Sequence, residues 1–156
     1  MPLGDWFQVK TFRLALFAAA LGLLSLHSAQ AEVNWLTDFA KAQAQAKAEN
    51  KLLFLNFTGS DWSGWCRVME KEILSQPAFD EYAKKNLVLM KLDFPRAKPL
   101  SAEVRAQNQI LAQKFEIRGF PTIVILTGEG KPVAMLGYLP GGPDAFISEL
   151  KQIPKS

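Results

Sequence analysis

Between Leu52 and Phe57 the chain reads Leu-Leu-Phe-Leu-Asn-Phe, with almost no polar interruption. That is the pattern of a central strand covered on both faces. Leu87 to Phe94 repeats it, and Pro121 to Leu126 supplies a third apolar run. A tight turn at 127–131 leads into Pro132 to Tyr138, predicting a hairpin partner. Helical patterns lie between these runs. Residues 33–50 are rich in Ala, Gln and Lys and poor in β-branched residues, which predicts a helix capped at Asn34 or Thr37. Asn50-Lys51 ends it. Gly64 to Leu74 mixes apolar and charged residues at helical spacing until Ser75-Gln76-Pro77 interrupts. A further helix is predicted over 77–85, with its proline in the first turn. Ser101 to Phe115 opens on a capping pattern, and Pro143 to Ile153 closes the chain as an amphipathic helix. The order is βαβ followed by ββα with one extra N-terminal helix, an α/β domain without repeats, low-complexity tracts or linkers.

Residues 1–31 carry a different pattern. Lys10 and Arg13 precede an apolar run of 13 residues, Leu14 to Leu26, and Ala29-Gln30-Ala31 follows as a small-x-small site. A membrane span needs about 20 apolar residues. The pattern therefore predicts a cleaved secretory signal at 1–31 and a domain at 32–156, with no stable membrane anchor after cleavage. No cysteine follows the run and no arginine pair precedes it, so export by the general route is expected, to a periplasm or outside the cell.

Export would remove His27, the only histidine, and with it Ser-His catalysis, Cys-His catalysis and any histidine-based metal site. No cofactor or metal is expected. Taking Lys10, Arg13 and Asp5 from 18 basic and 15 acidic residues leaves 16 and 14, a net charge of +2. No basic stripe stands out, so no nucleic-acid partner is expected. Lys84, Lys85, Lys91, Arg96 and Lys98 read as solvated surface. Exported domains are often stapled by disulfides, yet Cys66 is the single cysteine. Its thiol is either buried and inert or a partner for another molecule's sulfur, a Cys66-linked dimer included.

Two segments carry the chemistry. One is Asp61-Trp62-Ser63-Gly64-Trp65-Cys66, between the first apolar strand and a helix; the other is Gly119-Phe120-Pro121-Thr122, opening the third strand. Together, and in this order, they resemble the thioredoxin superfamily from about Val33 to Ile153, and Gly59–Trp62 with Asp93–Arg96 are similar to an exported bacterial branch of it. The resemblance implies a thioredoxin-like fold, a central mixed β-sheet flanked by helices, and thiol–disulfide exchange. The family motif is Trp-Cys-x-x-Cys. Here Trp62 matches the tryptophan, Ser63 stands where the attacking cysteine belongs, and Cys66 matches the resolving cysteine.

Exchange needs a thiolate to attack. A helix N-terminus favours that thiolate through its unpaired N–H groups and macrodipole, but a serine hydroxyl there stays protonated. Ser63 reads instead as an N-cap accepting from the N–H of Trp65 or Cys66, worth roughly 1 kcal/mol. Relatives carry a buried acid in the preceding strand, and Asn56, which does not titrate, falls at that position. X-Pro bonds are cis only about 5–6% of the time, but the resemblance implies a cis bond at Pro121 and a peptide groove beside it. Trp62, Trp65, Phe120 and Pro121 are the candidate substrate-binding residues, and Cys66 and Ser63 the candidate catalytic positions. The expected function is a binding module for extended peptides or thiol-containing proteins, with weak or no dithiol oxidoreductase activity. The alternatives are a monothiol oxidoreductase or isomerase acting through Cys66, and a scaffold whose groove is unused.

Overall fold

The computed structural model describes residues 33–155; the expected signal segment, with His27, lies outside them. Strands β1 (Trp35–Leu36), β2 (Leu52–Thr58), β3 (Leu87–Asp93), β4 (Thr122–Leu126) and β5 (Pro132–Leu136) form one sheet in the order β1-β3-β2-β4-β5. β1 and β2 each run parallel to β3, while β4 runs antiparallel to both β2 and β5. The helices are α1 (Phe39–Glu49), α2 (Gly64–Met69), α3 (Pro77–Asn86), α4 (Ala102–Lys114) and α5 (Gly142–Lys151).

Every residue of β2 is buried, because both faces of the sheet are covered. Period-two alternation sorts the strand's side chains between two cores. Leu52 and Phe54 join Leu89, Ile123 and Ile125 beneath α2, α3 and α5, with Met69, Phe79 and Phe146 above them. Leu53, Leu55 and Phe57 join Met90, Leu92 and Val124 against Ala42 and Ala46 of α1 and Leu111 and Phe115 at the end of α4. Phe54 centres the first core, meeting Trp35, Phe79 and Phe146 edge-on at 6.0, 5.7 and 6.3 Å between ring centroids, the preferred aromatic geometry.

Two local expectations are corrected. The helix expected over 33–50 begins only at Phe39, and its cap is Asp38, whose carboxylate accepts from Lys41 N–H at 3.0 Å. The residues before it are drawn away from helix by tertiary pairing: Trp35 registers with Leu89 and Leu36 with Met90, making an edge strand. The helix expected over 64–74 is α-helical only to Met69. Glu70–Leu74 is a π turn, in which Ser75 N–H donates to the Glu70 carbonyl at 2.9 Å. Both Ile73 and Leu74, neighbours in sequence, are buried there.

Candidate functional site

The site grows from the end of β2. Gly59 follows the strand, and its carbonyl accepts from Ser63 N–H at 2.9 Å and from Trp62 N–H at 3.3 Å, folding residues 59–63 into a compact turn. A Cβ on Gly59 would lie 2.5 Å from Trp62 Cε2, so this position has room only for glycine under the indole. Ser63 then caps α2. Its backbone is extended (φ −86°, ψ 118°) and its Oγ accepts from Cys66 N–H at 3.3 Å.

Cys66 sits in the first turn of α2 as a free thiol, 5% exposed. Gly59 N–H points at its sulfur at 3.4 Å. Ser63 Oγ and Cys66 Sγ therefore belong to one turn, but the oxygen's hydrogen-bonding role is spent on the helix end. Asn56 lies one strand step below on the face that α2 covers, as its alternation with Phe54 and Thr58 requires. It is 2% exposed, and its Oδ1 has no hydrogen-bond partner.

The aromatic candidates separate into two groups. Trp62 is half-buried and meets Phe120 perpendicularly at 5.8 Å; Phe94 packs against the same Phe120 at 5.0 Å. Pro121, joined to Phe120 by a cis peptide bond, follows directly. Trp65 does not join this lip. It is 62% exposed and leans on Tyr138 at 5.3 Å. Tyr138 in turn donates to Glu72 Oε2 at 2.6 Å, and that acceptor raises the phenol pKa above its ordinary value.

The turn is held in place by residues for which the sequence suggests no structural role. Asp61 accepts from the backbone N–H groups of Arg96, at 3.0 and 3.1 Å, and of Ala97, at 2.7 Å. The Arg96 bond first and the Ala97 bond second lower its carboxyl pKa. Asp93 accepts from Ser60 N–H at 3.0 Å and from Ser60 Oγ at 2.6 Å, while Asn108 donates to the Asp93 carbonyl at 3.0 Å. Trp62 Nε1 donates to the Phe94 carbonyl at 2.8 Å, with the Arg96 guanidinium 4.0 Å above its ring. The turn is thus tied to the loop after β3 by two carboxylates and an indole. Only the resemblance of Gly59–Trp62 together with Asp93–Arg96 to an exported branch of the superfamily points to the pair, since partners 32 to 36 residues apart leave no local signal. Among the described residues, no group of three or more His, Cys, Asp or Glu side chains is placed to hold a metal ion, and no helix is long and apolar enough to cross a membrane.

Known proteins resemble this chain in sequence and in fold. A family model described as a thioredoxin-like domain matches residues 39–154. The chain is 36% identical over 127 residues to the disulfide bond reductase DsbH of Chlamydia pneumoniae, covering 81% of this chain and 76% of that protein. It is 29% identical over 132 residues to the thioredoxin-related protein DsbJ of the same organism, covering 80% of this chain but 38% of DsbJ. The solved structure of a DsbH oxidoreductase superposes with a TM-score of 0.74 at 36% identity, over 78% of this chain and 84% of that one. A match running through nearly the whole described region, in sequence and in backbone alike, establishes kinship: the chain belongs to the thioredoxin-like domain family.

Proposed function

We propose that this protein is an exported member of the thiol–disulfide exchange group typified by DsbH, acting as a peptide- or thiol-binding module with little or no dithiol turnover. One observation carries the reading. The side chain at the attacking position is a serine whose oxygen caps α2 by accepting from Cys66 N–H. A dithiol cycle needs a first sulfur to attack and a second to resolve. With Cys66 as the only cysteine, a mixed disulfide formed here has no internal thiol to release it. Nor do residues 33–155 contain a histidine that could activate the serine.

Binding needs none of that chemistry. The Trp62–Phe120 pair, with Phe94 behind it and Pro121 beside it, offers an apolar lip along which an extended peptide can lie. Such a peptide gains affinity from main-chain hydrogen bonds. Trp65, exposed on the other side of the turn, widens the contact surface. The expected setting is a periplasm or the cell exterior, and the expected clients are extended or cysteine-bearing polypeptides.

Ser63→Cys tests the proposal in one step. Coupled disulfide-reduction assays are expected to give near-background turnover for the wild type and a clear gain for the variant. Substantial wild-type turnover would rule the binding-module reading out. The second reading, single-thiol exchange through Cys66, is motivated by the reductase name of DsbH and the placement of the sulfur in the first turn of α2. Its mark would be wild-type turnover that requires an added free thiol and vanishes in Cys66→Ser.

A further inference from the structure

Cys66 lines a cavity of about 460 Å³ whose wall includes none of the lip residues Trp62, Phe120 and Pro121. Arg67 lines it from α2, Lys91 from β3, and Glu70, Lys71 and Ser75 from the π turn and its end. Ser75 Oγ lies 3.3 Å from Glu70 Oε1, so the single acid of the wall already has a partner. None of the three cations forms an ion pair among the described residues. Lys91 is the register neighbour of Asn56 on the same sheet face. Lys91 Nζ also lies 5.8 Å from the Trp35 ring centroid. A thiol, three cations outside any ion pair and one acid make a concavity of net positive charge around a sulfur.

We propose that this cavity takes a small anionic disulfide or thiol, holding its carboxylates on Arg67, Lys71 and Lys91 and its sulfur against Cys66. With a disulfide the step balances. Cys66 releases its proton, and its sulfur attacks one sulfur of the ligand. The ligand's S–S bond breaks as a Cys66–S–S–R bond forms, and the other half leaves as a thiolate that takes up a proton. Cys66 is oxidised and the ligand reduced by the same two electrons. The adduct persists until an external thiol reverses it, because the chain holds no second cysteine. The consequence is a reversible cap on Cys66, installed through a cavity that leaves the lip residues uncovered. This inference is independent of the peptide-binding proposal.

The test compares oxidised glutathione, which carries carboxylates, with cystamine, a disulfide bearing only ammonium groups. Adduct formation on the purified protein is followed by intact mass, and the ratio of the two rates is divided by the same ratio for the urea-unfolded chain. A cleft of one sign raises the local concentration of an oppositely charged ligand, so the normalised ratio is expected to favour glutathione by about tenfold or more. Added salt should shrink it. The pair Arg67→Glu and Lys71→Glu, both on exposed helical positions, should bring the ratio to about one or below; adding Lys91→Glu should invert it. A ratio near one in the wild type, a ratio indifferent to the charge reversals, or a native Cys66 inert to both reagents would each overturn the proposal. Loss of peptide binding at the lip would leave these ratios unchanged, so the two proposals fail separately.

Discussion

Replacing Ser63 by alanine isolates the interaction on which the functional reading turns. The hydroxyl accepts from Cys66 N–H at 3.3 Å, and Ser63 is only 8% exposed. Losing an N-cap of this kind costs about 1 kcal/mol, within a range of roughly 0.5–2. Water cannot readily replace a buried acceptor, and a donor left unpaired adds to the cost. An estimate of about 1.5 kcal/mol follows. For a domain of this size each kcal/mol moves the melting temperature by about 3–4 °C, so a fall of about 5 °C is expected. Glycine is a far better cap than alanine, and Ser63→Gly is expected to lose only a few tenths of a kcal/mol at that position. The assay is urea and thermal unfolding of the three proteins under reducing conditions, read by circular dichroism. If alanine and wild type agree within about 0.5 kcal/mol, or glycine falls below alanine, the serine is not acting as a cap and its presence at this position needs another explanation.

Other perturbations bear on the frame around it. Gly59→Ala puts a methyl group 2.5 Å from the Trp62 indole, so a loss of about 1–3 kcal/mol is expected, together with a change in the near-ultraviolet signal of a displaced tryptophan; an unchanged spectrum and stability would contradict the contact. Asn56→Leu removes a buried acceptor that has no partner and is expected to stabilise by about 1 kcal/mol; a drop in stability would show that the amide is satisfied in solution. The folded pKa of Asp61 lies below its ordinary value because it accepts backbone hydrogen bonds, that from Arg96 foremost. Its contribution is therefore present above the unfolded carboxylate pKa and is lost as pH falls through the lower folded value. The stability gap between wild type and Asp61→Asn should narrow below about pH 4, and a gap constant from neutral pH to acid would refute the tether.

What could be read from the chain, and what could not, divides by the range of the forces involved. β2 was legible because both of its faces are buried, so an unbroken apolar run sufficed. The Ser63–Cys66 pair was legible because both residues belong to one helical turn, and Ser101 was legible as a cap because its hydroxyl reaches only to Val104 N–H. Trp35 and Leu36 read as helix, since nothing local reveals that they pair with Leu89 and Met90 half a domain away. The π turn was hidden for a similar reason: an i+5 bond at Ser75 differs from ordinary helix only once Ile73 and Leu74 are both packed inward. Trp65 is grouped with Trp62 and Phe120 through the groove that the family resemblance implies. The start of α2 lies between the two tryptophans, and the helix carries Trp65 to the flank facing Tyr138.

The position of β1 has a consequence for the order in which the protein loosens. Its two residues hydrogen-bond only to β3, a strand that must itself be seated on β2. This short stretch is therefore an edge stave, free to peel away while the other four strands hold. Amide protons of residues 35–36 should exchange through such fraying long before those of β2, which open only when the whole domain does.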